Sequence, residues 1–174
     1  MPSSPGNIWT AGHSTRSAED FLTIIRSFDI QQIADVRRYP GSKKYPQYNK
    51  DEFRAWLNAA GIEYVHLENL GGRRKPHPDS KNTAWRHTAF RGYADYMETA
   101  EFMTAYQQLE NIASQMRTAI VCSEAVWWSC HRALISDMLK FRGWNVLHIM
   151  SAGKAKEHPY TAPASIENEK LNYG

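Results

Sequence analysis

Short apolar segments alternate with amphipathic ones along this chain, and that alternation limits the possible folds more than any other feature. Five segments rich in β-branched, aliphatic or aromatic residues predict strands: residues 7–12, 32–36, 64–67, 119–123 and 145–149. Four amphipathic segments predict helices: residues 17–28, 50–60, 102–116 and 129–141. The resulting order, β-α-β-α-β-α-β-α-β, predicts a single α/β domain with a mostly parallel sheet of about five strands and helices on both faces.

The length of 174 residues suits one domain, which we expect to occupy residues 1–150. Residues 151–174 mix Ala, Pro, Gly, Lys and Glu without a clear period, so we expect an irregular C-terminal extension there. Apolar stretches such as residues 125–128 are far shorter than the roughly 20 residues of a membrane-spanning helix. Residues 1–6 lack the basic and apolar parts of a secretory signal, which predicts a cytoplasmic protein with free thiols and no membrane partner.

Positive charge is concentrated in two segments, although the net charge is only +3. Lys and Arg outnumber Asp and Glu in residues 37–54 and again in residues 71–91. The second segment lies within residues 69–93, where Gly, Pro, Arg and His without a helical period predict a long loop. Basic loops with aromatic residues bind either small anionic substrates or nucleic acid, so both stay open as partners.

Two short segments after the fourth predicted strand contain most of the reactive residue types. Residues 122–124, Cys-Ser-Glu, leave the strand, and residues 129–132, Ser-Cys-His-Arg, open the last predicted helix. If Ser129 caps that helix, Cys130 lies in its first turn, where free N–H groups and the helix dipole favour a thiolate. In the alternative interpretation, Cys130 belongs to the apolar stripe of the helix and is an inert core residue.

These residues predict a cysteine-dependent enzyme with Cys130 as its nucleophile. His131 and Glu124 would transfer protons, and Arg132 would bind a negatively charged group or point to solvent. A carboxylate just beyond a buried strand needs a partner, so we expect Glu124 to contact His131 or Arg132. Cys122 follows an apolar strand and is a second nucleophile, a resolving thiol or a core residue.

Further candidate contacts with the substrate lie in the loops that leave the other strands and between the two cysteines: Arg37, Asp35, His13, Ser14, Gly71, Gly72 and Trp127. Asp35 and Arg37 share one side of their strand, so they either flank a ligand or pair with each other. His13 and Ser14 contribute an imidazole or a hydroxyl to the site, or Ser14 caps a helix. The two glycines allow backbone to lie close to an anion, and Trp127 is either a hydrophobic plug or a platform for a base.

A metal site is a further alternative, with Cys122, Cys130, His131 and His13 as the donors. The spacing of these residues matches none of the common zinc motifs, and the adjacent Cys130 and His131 do not easily bind one ion. We therefore expect neither a metal nor a cofactor, and a metal-dependent hydrolase stays an alternative function.

A series of motifs runs through the chain: Gly-His-Ser at 12–14, Asp-Val-Arg at 35–37 with Pro40, Leu-Gly-Gly at 70–72, Phe90 with Gly92 and Tyr93, Cys-x-Glu at 122–124, Cys-His-Arg at 130–132, and His148-Ile149 at the end of the last strand. In this order the motifs resemble those of the domain of unknown function 488 family over roughly residues 7–150. The resemblance implies a compact α/β domain with a site built from these segments, but no particular reaction. Trp127 departs from it, since proline is frequent there, and this implies a differently shaped loop between the cysteines.

Residues 129–132 are also similar to the Pro-Cys-His-Arg of alkylguanine DNA alkyltransferases, whose cysteine accepts an alkyl group, with Ser129 in place of the proline. Our leading hypothesis is a transferase or hydrolase that uses a cysteine on an anionic or nucleobase-containing substrate, at the carboxyl edge of the sheet. The other class of function is a nucleic-acid-binding accessory module without catalysis, which uses the basic residues 71–91 and leaves both cysteines in the core. The sequence leaves the oligomeric state open.

Overall fold

The computed structural model describes residues 5–174, and its centre is a six-stranded mixed sheet. The strands are β1 (Asn7–Gly12), β2 (Gln32–Asp35), β3 (Glu63–His66), β4 (Thr118–Cys122), β5 (Asn145–Ser151) and β6 (Lys154–Glu157). Their order across the sheet is β3-β2-β4-β1-β5-β6. The pairs among β1 to β5 are parallel, and β6 is antiparallel to β5. The predicted α/β fold with a mostly parallel sheet is confirmed.

Helices cover both faces of the sheet, as predicted. They are α1 (Ala18–Arg26), α2 (Lys50–Ala59), α3 (Thr88–Tyr96), α4 (Ala100–Ala113) and α5 (Arg132–Phe141). Phe21 of α1 and Leu57 of α2 share one buried cluster with Ile33 of β2. The helices α3, α4 and α5 pack around the opposite face, where Ile120 of β4 is buried. None of the helices in residues 5–174 is long and apolar enough to span a membrane.

Helix α3 occupies part of the segment that the sequence predicts as a long loop. It begins at Thr88, so the irregular segment after β3 is shorter than residues 69–93. Gly92 lies inside this helix, where glycine is unfavourable, and this obscures the helical pattern. The glycine is needed because a Cβ atom there would lie 2.1 Å from the carbonyl oxygen of Arg74. Helix α3 therefore packs directly on the backbone of the basic segment.

The C-terminal segment is also more regular than predicted. β6 completes the main sheet, and β7 (Ser165–Glu167) and β8 (Lys170–Asn172) form a hairpin. Tyr173 is buried, and its hydroxyl donates a hydrogen bond to Asp137 of α5 at 2.7 Å. The prediction of an irregular extension over residues 151–174 is wrong because these strands are short, polar and at an edge, so they carry little apolar pattern.

Helix α5 begins three residues later than the sequence predicts. Its N-cap is His131, and residues Trp127–Ser129 form a separate 3-10 turn. Cys130 lies between the two with extended backbone angles, φ −143° and ψ 169°. The prediction that Ser129 caps the helix and that Cys130 lies in its first turn is therefore wrong.

Candidate functional site

Reactive side chains meet in a pocket at the carboxyl edge of the sheet, beside the ends of β2 and β4. The pocket has a volume of about 260 Å³ and is lined by the loops after both strands, residues 72–73, part of α3 and residues 129–131. Because carboxyl ends of parallel strands face one edge, residues far apart in the chain are gathered here. The predicted site residues in its lining are Cys122, Cys130, His131, Glu124, Arg37 and Gly72.

The two cysteines are in contact at the floor of the pocket. Their Sγ atoms are 2.8 Å apart, both are free thiols, and Cys122 and Cys130 are only 2% and 9% exposed. Burial raises the pKa of Cys122, but the hydrogen bond with Cys130 and the charge of Arg132 outweigh it and lower that pKa below its ordinary value. Burial raises the pKa of Cys130 well above its ordinary value, and the hydrogen bond with Cys122 raises it further. Cys122 is thus the more acidic thiol.

Arg132 lies beneath the loop between the cysteines and is 1% exposed. Its Nη2 donates to the carbonyl oxygens of Glu124 and Ala125, both at 3.1 Å. Its Nε and Nη1 atoms have no hydrogen-bond partner within residues 5–174, and no carboxylate in that range forms an ion pair with it. Burial of a cation without a counter-ion destabilises the folded protein by roughly several kcal/mol. An anion close to Arg132 is therefore favoured. The charge of Arg132 is one of the causes that lower the pKa of Cys122, so a thiolate on Cys122 would supply that negative charge.

Backbone contacts fix the loop between the cysteines against the end of β1. The N–H group of His13 donates to the carbonyl oxygen of Cys122 at 3.0 Å. A Cβ atom on Gly12 would lie 1.6 Å from the carbonyl oxygen of Glu124, so only glycine lets the loop cross β1 at this point. The same Glu124 carbonyl accepts from Arg132, which holds the loop from below.

Trp127 anchors this loop at the side away from the pocket lining. Its indole ring stacks on His148 with centroids 4.7 Å apart and an angle of 5° between the rings. It also meets His158 edge-on at 4.9 Å. Of the two interpretations of Trp127, the geometry favours the hydrophobic plug, because one face of the ring is covered by His148 and the residue does not line the pocket.

His131 forms part of the pocket wall as a neutral imidazole. Its Nε2 donates to the carbonyl oxygen of Val36 at 2.7 Å, because a carbonyl only accepts, and Nδ1 therefore carries no proton. Burial lowers the pKa of His131 to about 4, and the Arg132 charge lowers it as well. At neutral pH this side chain offers a hydrogen-bond acceptor beside Gly72 and is a weak base.

Asp35 and Arg37 pair with each other, and Arg37 also lines the pocket. Arg37 donates from Nη2 and Nε to the two carboxylate oxygens at 2.7 and 2.9 Å, and Tyr64 donates its hydroxyl proton to the same carboxylate. Arg37 Nη1 lies 3.4 Å from Nε2 of His13. The imidazole of His13 stacks on Tyr48 with centroids 4.0 Å apart. This buried network supports the pocket wall, and the charge of Arg37 is already neutralised.

Three further predicted site residues, His13, Ser14 and Gly71, make structural contacts. The His13 Nδ1 atom donates to the carbonyl oxygen of Ser14 at 2.9 Å, and burial lowers the pKa of His13 to about 4. Ser14 does not cap α1, since the hydroxyl of Ser17 accepts from the Asp20 N–H at 3.1 Å. Gly71 packs against the backbone of Arg38 and lies outside the pocket lining.

The rim of the pocket carries a basic and aromatic cluster that the sequence indicates only as two basic segments. Tyr39 is 63% exposed, and the guanidinium groups of Arg38 and Arg73 lie over its ring at 5.3 and 5.7 Å from the centroid. Arg38 Nη1 donates to the carbonyl oxygen of Arg73 at 3.1 Å. Neither guanidinium forms an ion pair with a carboxylate in residues 5–174, so the rim has a net positive charge. The pocket therefore has basic residues at its opening and two thiols at its floor.

The model of a family described as "Domain of unknown function DUF488" matches residues 17–139, which is well over half of the chain. The chain belongs to the DUF488 family. The match includes both cysteines, Arg132 and the rim residues, and it confirms the resemblance to this family; the motifs at 12–14 and 148–149 lie outside the matched residues. No curated protein and no solved structure matches the chain.

Two predicted roles do not fit the geometry of this DUF488 domain. Glu124 is exposed at the pocket mouth, and within residues 5–174 its carboxylate forms no ion pair with His131 or Arg132. Arg132 takes the backbone carbonyl of Glu124 instead and does not line the pocket, so it neither points to solvent nor reaches into the crevice. Sequence spacing gives no sign of this, because it does not reveal which way a loop folds back.

The four donors named for a metal site do not form a set of ligands, although Cys122, Cys130 and His131 line the same pocket. His13 faces Tyr48 and Arg37, and His131 donates to a backbone carbonyl. Within the part of the DUF488 domain that the structure describes, no group of three or more His, Cys, Asp or Glu side chains is placed to hold a metal ion.

Proposed function

We propose that this DUF488 domain is a cysteine-dependent enzyme, a transferase or hydrolase, that acts on a small anionic or nucleobase-containing substrate. One observation carries the proposal: two thiols touch at the floor of a pocket, beside a buried guanidinium without a carboxylate partner in residues 5–174. Free thiols also require a reducing compartment, and we include a cytoplasmic location in the proposal.

Cys122 is the nucleophile in this proposal, and Cys130 is its hydrogen-bond donor. The thiolate is the reactive form of cysteine, and the directions of the two pKa shifts favour Cys122 as its position. The roles expected from the sequence are thereby exchanged. Arg132 balances the charge of the thiolate and is a positioning residue, since it does not line the pocket.

In the bond-forming step, Cys122 Sγ attacks an electrophilic atom of the substrate, and the bond to the leaving group breaks. The leaving group takes the bonding electron pair and the proton of the neighbouring Cys130 thiol. The thiolate that remains on Cys130 replaces the one consumed on Cys122 as the counter-ion of Arg132. Positive charge is therefore balanced before and after the step, which supports chemistry at this depth.

Substrate recognition is assigned to the rim. Arg38 and Arg73 are available for a phosphate or carboxylate, whereas Arg37 is already paired with Asp35. Tyr39 offers an exposed ring for a planar group. A volume of about 260 Å³ is small for a ligand pocket, which favours a small molecule or a single base over a duplex.

The proposal is tested by the alkylation rate of each thiol with iodoacetamide, followed by peptide mass spectrometry from pH 5 to pH 10. Cys122 is expected to react first, with a half-maximal rate below the ordinary thiol pKa of about 8.5. Cys122→Ser should remove the fast reaction, and Cys130→Ala should slow it at neutral pH, because it removes the hydrogen bond that lowers the pKa of Cys122. Two thiols that react slowly at neutral pH in the folded protein would overturn the proposal.

A nucleic-acid-binding module without catalysis is the second candidate, and the exposed ring of Tyr39 with two guanidinium groups near it favours it. Single-stranded oligonucleotides would then stack on this ring and contact the basic rim. Fluorescence anisotropy at rising salt distinguishes the two functions. Affinity that falls steeply with salt and is lost in Tyr39→Ala, together with inert thiols, supports the module.

A further inference from the structure

We propose that Cys122 and Cys130 form a reversible intramolecular disulfide when a hydroperoxide oxidises Cys122, so that the pocket floor is a two-electron redox centre. This modification rests on the nucleophilic Cys122 of the proposed function, but not on its substrate. The disulfide removes both thiols and therefore switches off the proposed reaction.

Proximity is the first support for this inference. The two Sγ atoms are 2.8 Å apart, and a disulfide bond is about 2.05 Å long, so the sulfurs need to approach by less than about 1 Å. Cys130 lies between a 3-10 turn and α5 and belongs to neither. Its side chain can adjust without breaking a helical hydrogen bond of α5. Cys122 stays fixed at the end of β4.

Access is the second support. Both cysteines line the pocket, although little of either side chain is exposed. A hydroperoxide is small enough to enter a pocket of about 260 Å³ and to reach its floor. Oxidation of cysteine follows thiolate character and access, and Cys122 has both.

The chemistry proceeds in two steps. The Cys122 thiolate attacks the outer oxygen of the hydroperoxide, the O–O bond breaks, and the alkoxide takes a proton from solvent to leave as an alcohol. The Cys130 sulfur then attacks Cys122 Sγ, and the S–O bond of the sulfenic acid breaks. The hydroxide leaves with the thiol proton of Cys130 as water. The cysteine pair loses two electrons, and the peroxide gains them.

Arg132 makes the disulfide reversible. In the oxidised pair neither sulfur carries a negative charge, so the buried guanidinium loses its counter-ion. Reduction by a small dithiol restores that charge balance. A disulfide whose reduced form is stabilised in this way is reduced readily.

The test uses the full chain, oxidised with hydrogen peroxide in dilute, thiol-free buffer and analysed by intact-protein and peptide mass spectrometry. We expect a loss of two hydrogen atoms, a peptide cross-link between Cys122 and Cys130, and full recovery with dithiothreitol. In Cys130→Ser, dimedone should trap a sulfenic acid on Cys122, whereas Cys122→Ser should react much more slowly. Cys130→Ala and Cys122→Ala are tested in parallel, with circular dichroism to check folding.

Arg132→Met tests whether the buried charge, and not only the short distance between the sulfurs, controls the disulfide equilibrium. Without the buried charge, the equilibrium with dithiothreitol should shift towards the disulfide at least several-fold. Conversion of Cys122 to sulfinic acid without any cross-link in the wild-type protein would overturn this inference. Fast alkylation of Cys122 in that same protein would leave the proposed function standing, whereas slow alkylation would remove both.

Discussion

Two buried polar clusters lie on either side of the loop that carries Trp127, and they differ in how completely they are hydrogen-bonded. Asp137 accepts from His158 at 2.8 Å, from the Thr161 N–H at 3.0 Å and from the hydroxyls of Thr161 and Tyr173. His158 in turn accepts from His148 at 2.8 Å. In this cluster, which we call the Asp137 network, every ring nitrogen and carboxylate oxygen has a partner.

The thiol cluster is different, because Arg132 keeps two nitrogen atoms without a partner in residues 5–174. Buried polar groups in folded proteins are normally satisfied, so an exception marks either strain or function. The comparison teaches that burial of polar residues alone does not identify a site. A complete network stabilises the fold, whereas an incomplete one beside a pocket is a candidate for chemistry.

Acid should have the largest effect on this comparison, because it acts on imidazoles in both clusters. Burial lowers the pKa of His13 and of His131 to about 4 and that of His148 to about 2. Below the unfolded-state pKa of about 6.5, the unfolded chain takes up protons that the folded one does not, and stability falls by up to about 1.4 kcal/mol per pH unit for each imidazole. Three such groups are enough to remove most of a typical stability of about 5–15 kcal/mol near pH 4.

Urea unfolding from pH 7 to pH 4 checks this expectation. In His131→Gln, the unfolding free energy should fall less steeply with pH, because one proton fewer is taken up on unfolding. His13 and His148 continue to contribute to the slope. Stability that is unchanged between pH 7 and pH 4.5 would show that these imidazoles are not held neutral.

Asp137→Ala should destabilise the protein by about 3–5 kcal/mol, because it leaves His158, Thr161 and Tyr173 without their shared acceptor. Equilibrium urea denaturation measures the loss. If the two clusters are separate, the apparent pKa of Cys122 in the folded fraction stays where it is in the wild-type protein. A large change in the pKa of Cys122 would show that the two clusters are coupled.

Arg132→Met should raise the pKa of Cys122 by about 1–3 units, since it removes the positive charge that lowers it. The pH dependence of iodoacetamide alkylation reports this pKa directly. The net change in stability should be small, because the loss of two hydrogen bonds to the loop is offset by the removal of a buried charge. Strong destabilisation with an unshifted thiol pKa would instead identify Arg132 as a structural residue.

The smallest expected effect is the difference between Trp127→Ala and Trp128→Ala, since the first should destabilise the protein by about 1 kcal/mol more through the lost stacking on His148. Thermal denaturation detects it, and Trp128→Ala is the matched control because Trp128 is 55% exposed. Equal losses in the two variants would mean that Trp127 does not anchor the loop.

Much of the fold was predictable because buried parallel strands and amphipathic helices leave strong patterns. α3 was missed because Gly92, needed for close packing on Arg74, weakens its helical pattern. The strands β6, β7 and β8 were missed because short polar edge strands look like loops. Pattern alone does not report such tertiary pairing.

The location of the candidate site was predictable, because Cys122 lies at the end of β4 and Cys130 lies just before α5. The roles of the two thiols were not, because they depend on where α5 begins. A start at Arg132 instead of Ser129 takes Cys130 out of the helix dipole and sets Arg132 under the loop. The rim residues Arg38, Tyr39 and Arg73 meet only through folding, so the sequence shows their charge but not their arrangement.

The bare backbone of Gly12 has a consequence for the sulfur pair. Because the loop rests directly on that glycine, its height above the sheet is set by the first strand of the chain rather than by the residues between the two thiols. Strand β1 thus fixes the position of a loop that comes much later in the sequence. A larger residue at position 12 would push this loop away from β1 and alter the spacing of the two sulfur atoms.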